Sequence, residues 1–552
     1  MAFISFVQTL AFRFVYDDRQ QILENAAITS WSQVPHYFTS HVWAGIQASS
    51  DYYRPLFLLW LRVNHAIFGL APWGWHLTSV LCHVVVAWLV FAVLARLSGS
   101  RGVGFVGGLL FAIHPVHIEN VAWISGITDP LMSAFLLAGY LAFLRSMETG
   151  ASRWWVPGSC ALFGLALLTK ETAAAFPFVV LVYALVFTAS GKWTRRAGAA
   201  AKRTLPFFVV LGTYLLARAS VLHGVTKLAT TGWTSMLLTL PSVAWLYVRH
   251  LFVPMGLSGF YGMPFVEQWR SAAFLVPLLL LAVVVASVIC WIARSEQRRM
   301  YVFACCWMVL FLAPAFYLRA FSAGDIAHDR YLYLPSVGFV LFVALGMKSV
   351  LSRWQSEWTK PALAATALIA IPYLLATMSQ QEHWATNILL YNRAMQVAPD
   401  DRKASNNLAN ELALAGHPEK AISVYEQILS RDPSDSMAVY NLGYTYYRLG
   451  MMTEAEVHLR RAVEMNPRFS DGFMYLGLAE LNQGKSTAAE QDARRAIQLT
   501  PDKQGYHFAL AMILAKQQNK VGAEQEFREE MKYHPESAAA VEKQIRQLRE
   551  SQ

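Results

Sequence analysis

Long apolar segments dominate the first two thirds of the chain and restrict the kind of fold it can adopt. A helix needs about 20 mainly apolar residues to cross a bilayer. An apolar segment at the very start is followed by further runs near 75–96, 103–118, 128–145, 154–169, 172–189, 205–221, 272–293, 300–318, 332–351 and 361–378. Together they predict an all-α membrane domain over residues 1–380 with about eleven transmembrane helices.

The distribution of charge predicts how these helices are oriented. Lys and Arg outnumber Asp and Glu by 26 to 13 before residue 382, and basic loops are typical of the cytoplasmic side. The basic residues collect on one side if the N-terminus is cytoplasmic and the interrupted segment 236–254 lies at the membrane interface. This explains the basic pI without a nucleic-acid partner. We therefore expect a multi-pass inner (plasma) membrane protein.

The acidic residues collect on the opposite, extracytoplasmic side. In this topology ten of the thirteen carboxylates before residue 382 lie there. One interpretation is that the positive-inside rule removes bases from this side and leaves the acids by default. The other is an active site, because the positive-inside rule does not explain carboxylates at helix ends.

A 34-residue period organises residues 381–552. Proline recurs at that interval, as do small residues where two helices of a repeat would touch; these positions are Pro399, Pro433, Pro467, Pro501 and Pro535, and Ala409, Gly443, Gly477 and Ala511. The period predicts a tetratricopeptide-repeat α-solenoid, with a half repeat at 383–399, four repeats over about 402–537 and a C-terminal capping helix. Such arrays bind proteins or extended peptides. A passive scaffold for self-association is the alternative.

Four separated segments place polar residues on the acidic side. They read "FVYDDRQQI", "FAIHPVHIENVAWISGITDP", "LLTKETAAAF" and "RAFSAGDIAHDRYLYLP". Each residue taken alone is explained by an ion pair at a helix end. Their convergence on one side favours a site built from Asp17, Asp18, Glu119, Asp129, Lys170, Glu171, Arg319, His328, Asp329, Arg330 and Tyr331.

Metal binding is a separate hypothesis for this side. His114 and His117 stand beside Glu119, but their spacing is not the i, i+4 pair of zinc-binding helices. Structural, hydrogen-bonded histidines are the alternative. A divalent cation, Mg²⁺ or Mn²⁺, could be held by Asp17, Asp129, His114 and His117.

The ordered motifs "YDDRQQILEN", "YYRPL", "FAIHPVHIENVAWISGITD", "LLTKE" and "RYLYLPS", followed by the repeats, resemble the transmembrane and tetratricopeptide repeat-containing (TMTC) O-mannosyltransferase family and its bacterial relatives. That family lies within the GT-C glycosyltransferases. The resemblance covers nearly the whole chain. This chain departs from the animal pattern "SGRAD", since it has "SGITD" and lacks the arginine.

The resemblance implies an enzyme that moves a sugar from a polyprenyl-phosphate lipid to a protein hydroxyl on the extracytoplasmic side. It also implies an acidic catalytic residue in the first outer loop, where Asp17 and Asp18 stand. Because phosphate is already a good leaving group, the chemistry needs one base and cations for the departing charge. Asp17 or Asp18 would be the base. Arg330, assisted by Lys170 or Arg319, would bind the phosphate, and a divalent ion could replace part of that clamp.

Two other classes of protein remain as alternatives. A transporter would place ionisable residues in the middle of its spans, whereas these residues lie at span ends. A membrane-anchored repeat scaffold for envelope assembly would need one span rather than eleven. The partners expected for the enzyme are the lipid-linked sugar, the bilayer, and an acceptor protein or peptide recruited by the repeats.

Overall fold

The computed structural model describes residues 1–46, 50–188, 192–222, 231–322, 324–352 and 358–550. Within these ranges the regular structure is helical, and no residue is assigned to a strand of a β-sheet. The chain forms two compact units, Met1–Ala398 and Pro399–Gln552. The prediction of an all-α fold is confirmed. The predicted domain boundary at residue 380 remains a prediction. The first unit continues beyond it to Ala398 and includes the helix Asn387–Val397.

The first unit contains sixteen α-helices among the described residues. They are α1 (Ala2–Phe6), α2 (Val34–Tyr37), α3 (Pro55–Phe68), α4 (Pro72–Ser98), α5 (Arg101–Ala112), α6 (Ile118–Ala122), α7 (Thr128–Ser146), α8 (Trp155–Thr169), α9 (Phe176–Tyr183), α10 (Trp193–Leu222), α11 (Trp233–Phe252), α12 (Ala272–Arg294), α13 (Arg298–Leu312), α14 (Pro335–Leu351), α15 (Thr359–Gln380) and α16 (Asn387–Val397).

Among the described residues of this unit, six helical segments are long and apolar enough to cross a membrane, or seven if a bent pair counts as one span. The six are Pro72–Ser98, Ile124–Ser146, Trp193–Leu222, Ala272–Arg294, Arg298–Ala320 and Lys360–Trp384. The remaining four predicted spans coincide with shorter apolar helices, Ala2–Ala11, Trp155–Thr169, Glu171–Phe187 and Pro335–Leu351. Residue 189, at the end of one predicted span, lies outside the described residues. Multiple membrane helices are therefore confirmed, and the count of eleven remains a prediction.

The two helical segments of the bent pair bring polar residues next to the hydrophobic core. Arg101–Ala112 and Pro115–Ala122 meet at an angle of 54°. Pro115 has no N–H to continue the first helix, and its ring disfavours helical geometry before it. The His114 side chain accepts a hydrogen bond from the Val116 N–H at 3.3 Å and so caps the new helical turn. As a result Glu119 and Asn120 lie on a short buried helix, α6.

The second unit is the predicted repeat array. Its helices are α17 (Arg402–Leu414), α18 (Pro418–Arg431), α19 (Ser436–Arg448), α20 (Met452–Met465), α21 (Ser470–Asn482), α22 (Ser486–Leu499), α23 (Tyr506–Lys516), α24 (Lys520–Tyr533) and α25 (Ala538–Glu550). Small residues permit the helix contacts: a Cβ on Gly477 would lie 2.8 Å from the Ala489 carbonyl oxygen. The unit contains four successive helix pairs, α17 to α24, and the terminal helix α25, and their assignment as four repeats with a capping helix remains a prediction.

Candidate active site

A cavity of about 520 Å³ lies in the first unit, where loops far apart in the sequence meet. Five of the residues expected at the site line it: Asp17, Lys170, Glu171, Arg330 and Tyr331. Aromatic side chains, including Tyr52 and Trp123, form other parts of the wall. The cavity therefore combines charged groups with flat apolar faces, the mixture that ligand sites commonly use.

Three ion pairs connect the loops around this cavity. Lys170 Nζ donates to Asp129 Oδ2 at 2.6 Å, and both side chains are buried. Asn120 Nδ2 donates to the same carboxylate oxygen at 3.1 Å. Asp129 thus holds Lys170 in place from behind the cavity wall.

The other two pairs are made by arginines. Arg54 donates from Nε and Nη2 to the two Glu171 carboxylate oxygens at 3.0 and 2.6 Å, a bidentate arrangement. Arg330 pairs with the buried Glu119 carboxylate, which also accepts from the Arg330 backbone N–H at 2.9 Å. The Arg330 guanidinium lies over the Trp123 ring, 5.6 Å from its centroid.

The adjacent aspartates of the first loop have different environments. Asp18 has no exposed surface, and its carboxylate accepts from Val15 N (3.1 Å), Ser125 N (2.9 Å) and Ser125 Oγ (2.6 Å). Asp17 is half-buried and lines the cavity. Burial raises the pKa of Asp18 to about 7, although its hydrogen bonds oppose part of that shift.

The backbone just before Asp17 is strained. Tyr16 has a φ of 57°, a conformation that bulky residues rarely adopt. Its N–H donates to Asn387 Oδ1 at 2.8 Å, and its ring packs near Trp123 and Phe260, at centroid distances of 5.6 and 5.3 Å. These contacts hold the strained turn, which directs Asp17 and Asp18 into different surroundings.

His328 and Asp329 lie behind the cavity rather than on its wall. His328 Nε2 is 3.2 Å from Asp325 Oδ1, and its Nδ1 is 3.9 Å from Glu119 Oε1. Asp329 accepts from Tyr261 OH and contacts His250 Nδ1 at 2.8 Å. These contacts surround the backbone next to Arg330 and so fix the position of that arginine.

Arg319 is directed away from the other expected site residues. Its Nε donates to the Thr231 carbonyl at 2.8 Å, and its guanidinium lies over the Trp233 ring, 4.5 Å from the centroid. Arg319 does not line the cavity. Its assignment to phosphate binding remains a prediction that this arrangement does not support.

The proposed metal ligands make separate contacts. His114 Nε2 contacts the Leu251 carbonyl at 3.1 Å, and His117 Nε2 contacts Ser336 Oγ at 3.0 Å. Asp129 is occupied by Lys170 and Asn120. Across the ranges that the structure describes, no group of three or more His, Cys, Asp or Glu side chains is arranged to hold a metal ion. The geometry gives the divalent-ion hypothesis no further support.

Sequence reasoning missed two arginines of the cavity. They are Arg54, just before α3, and Arg218, near the end of α10. Both line the cavity. The motif "YYRPL" could have indicated Arg54, whereas "LLARAS" gives no local signal for Arg218.

The fold and the cavity define a class of protein: a polytopic helical membrane protein with a charged pocket, followed by a tetratricopeptide-repeat unit. Residues 53–215 match the family described as dolichyl-phosphate-mannose-protein mannosyltransferase. Residues 406–549 match the family described as the cilia and flagella-associated protein 70 middle TPR-like domain. The membrane domain is thus similar to a mannosyltransferase family over part of its length, and the second unit is similar to a TPR-like family.

Individual proteins are also similar to this chain. The chain is 26% identical over 452 residues to the mouse (Mus musculus) protein O-mannosyl-transferase TMTC3, covering 75% of this chain and 48% of the relative. It is 35% identical over 201 residues to Tmtc2 of Drosophila melanogaster, covering 35% and 21% of the two chains. A crystal structure of MamA covers 28% of this chain and 89% of its own at 19% identity, with a TM-score of 0.25. The resemblance to TMTC proteins is confirmed, and the chain spans about half the length of the curated relatives it matches.

The ion pair between Lys170 and Asp129 gives a test of how the site is held. Replacing one partner leaves a buried charge unpaired, so Lys170→Met and Asp129→Asn should each destabilise the protein by about 3–5 kcal/mol. The double variant should be destabilised by much less than the sum of the losses in the two single variants. Thermal unfolding of the full chain in detergent measures all three, and additive losses would contradict the pairing.

The raised pKa of Asp18 predicts how stability depends on pH. As pH rises, the unfolded chain releases this proton near pH 3.8, but the folded protein keeps it until about pH 7. The contribution of protonated Asp18 to the free energy of unfolding is therefore lost between these values. Relative to Asp18→Asn, the wild type should lose stability from pH 4 to 7.

The pH test needs a carboxylate control from the same region. Asp51→Asn removes an exposed carboxyl group. Melting temperatures of the three proteins across the pH range would reveal the difference. A constant gap between the wild type and Asp18→Asn would show that Asp18 does not titrate in this window.

Proposed function

We propose that this chain is an integral-membrane glycosyltransferase. It transfers a sugar, mannose or another hexose, from a polyprenyl-phosphate lipid to a protein hydroxyl on the extracytoplasmic face. The observation that carries the proposal is one cavity that combines a carboxylate, paired cations and aromatic faces. The similarity to protein O-mannosyltransferases supports the reaction class.

The cavity has the chemical features that a sugar phosphate requires. Its volume of about 520 Å³ lies in the range of small-molecule sites. Tyr52, which lines the cavity and is exposed, offers aromatic surface for the C–H side of a sugar ring. Lys170 and Arg330 supply hydrogen-bond donors to anionic oxygens.

Asp17 is the better candidate for the general base. Both carboxylate oxygens of Asp18 already accept hydrogen bonds, and this side chain is fully buried. An acceptor hydroxyl would have to displace these contacts to reach Asp18. Asp17 lines the cavity and is accessible to a substrate there.

The reaction then needs only groups already present. Asp17 takes the proton of the acceptor hydroxyl while the oxygen attacks the anomeric carbon. The bond from that carbon to the phosphate oxygen breaks, and the phosphate leaves with the electron pair. Cations of the cavity stabilise its charge. Because attack comes from the side opposite the phosphate, the anomeric configuration inverts.

The repeat unit would recruit the acceptor. Tetratricopeptide arrays present extended surfaces that bind proteins and peptides. In the predicted inner-membrane topology, with a cytoplasmic N-terminus, both the repeats and the site residues face the extracytoplasmic side. A secreted polypeptide would then meet both parts of the chain on the same side of the membrane.

The activity is tested by following labelled sugar. Membranes containing the wild type, Asp17→Asn, Asp18→Asn or Glu24→Gln at equal expression receive a panel of radiolabelled polyprenyl-phosphate sugars and periplasmic protein. We expect the wild type to label protein and Asp17→Asn to lose roughly 10²- to 10⁴-fold of the rate, the usual contribution of a general base. Glu24→Gln breaks an exposed ion pair with Arg19 in the same loop and should stay active.

The outcomes separate the alternatives. Equal labelling by Asp17→Asn and the wild type would contradict the role of Asp17. No labelling from any donor, with the repeats still binding a partner, would favour the membrane-anchored scaffold in envelope assembly.

A further inference from the structure

The four cations that line the cavity are not electrostatically equivalent. Arg54, Lys170 and Arg330 each form an ion pair with a carboxylate of their own, respectively Glu171, Asp129 and Glu119. Their positive charges are therefore largely cancelled before any ligand enters. They shape the cavity, but each has limited net charge to offer an anion.

Arg218 is the exception among the residues that the structure describes. Its Nη2 donates a hydrogen bond to the Asp51 backbone carbonyl oxygen at 2.9 Å. No described carboxylate lies within 4.0 Å of it. A guanidinium carries five N–H donors, so this contact leaves most of them available. The side chain is half-buried and lines the cavity.

We infer that Arg218 binds the phosphate of the lipid-linked donor, an assignment that rests on the proposed function. A phosphate gains most from a cation whose charge is not already cancelled. Guanidinium also matches phosphate oxygens through paired N–H groups. This assignment moves the main phosphate contact from Arg330 and Lys170 to a residue beyond the matched region 53–215.

The position of Arg218 suits a ligand that is anchored in the bilayer. It lies near the C-terminal end of α10, a helix long and apolar enough to cross a membrane. Leu215 and Leu216, less than one turn earlier, are exposed. A polyprenyl chain entering from the bilayer therefore meets apolar surface next to a guanidinium. Arginine is tolerated at such a boundary because its charged end can reach the polar side.

The assignment predicts that a substitution of Arg218 weakens donor binding without lowering the stability of the protein. Removing Arg54, Lys170 or Arg330 leaves a carboxylate without its partner and should lower the melting temperature. Removing Arg218 leaves no carboxylate of the described residues without its ion-pair partner. Arg218→Gln should therefore bind donor poorly while unfolding at the wild-type temperature.

The test uses the full chain in nanodiscs. Binding of polyprenyl phosphate without a sugar is measured for the wild type, Arg218→Gln and Arg218→Lys, and the donor KM is measured where turnover is present. We expect Arg218→Gln to weaken polyprenyl-phosphate binding by roughly 10- to 100-fold, as for loss of a hydrogen-bonded charge. Arg218→Lys should be intermediate, because it keeps the charge and loses the paired N–H groups.

Arg195→Gln is the matched control. Arg195 is an exposed arginine on the same helix, about 35 Å away along its axis, so this variant should bind like the wild type. Melting temperatures of all variants verify that they are folded. Competition with phosphatidylglycerol shows whether the site binds any lipid phosphate.

Each contrary result has a different meaning. If the wild type and Arg218→Gln bind polyprenyl phosphate equally, Arg218 is not the phosphate contact and the proposed function stands. If phosphatidylglycerol competes as well as polyprenyl phosphate, Arg218 binds a bulk lipid headgroup and the donor assignment is wrong. If the wild type binds no polyprenyl phosphate, the proposed donor fails together with the inference.

Discussion

Ion pairs between residues distant in sequence hold the cavity of the membrane unit together. Glu171 joins Arg54 across 117 positions, and Glu119 joins Arg330 across 211. Burying such charges is costly, and the cost is recovered only when both partners stay in place with good geometry. Loops that would otherwise move independently are thereby fixed to one another. The cavity keeps its shape because its wall is built from these pairs.

This arrangement also determines which groups are available to a substrate. Cations that are paired with a carboxylate can still donate hydrogen bonds to a ligand, but they contribute little net positive charge. The two aspartates differ in their surroundings: Asp18 is buried and accepts hydrogen bonds from Ser125 and Val15, whereas Asp17 lines the cavity. The strained backbone of Tyr16 makes this difference possible, because it turns adjacent side chains into separate environments. Strain of this kind is typical of functional sites, where surrounding contacts stabilise it.

The sequence predicts the features of this protein that depend on local pattern. Apolar runs predict the membrane helices, because a helix of a given length and composition suits the bilayer whatever its neighbours are. The 34-residue period predicts the repeats for a similar reason, since Gly443 and Gly477 sit where neighbouring helices touch. Residues from all four segments quoted for the site line the cavity.

The sequence could not show which partners the charged side chains contact. Arg319 and Arg218 both follow apolar runs, yet one stacks on Trp233 and the other reaches the cavity. Their difference depends on how distant helices pack, which no local pattern records. The roles of Asp17 and Asp18 could not be separated for the same reason, since Ser125 is 107 positions from Asp18.

In the proposed reaction, one cavity positions Asp17 and Arg218 on opposite parts of a bound donor. An experimental structure of the full chain with a nonreactive polyprenyl-phosphonate sugar tests it most directly. Our account predicts the phosphonate within hydrogen-bond distance of Arg218, with the anomeric carbon facing Asp17 and the Asp18 contacts unchanged. A donor bound outside this cavity, or a sugar turned away from Asp17, would contradict it.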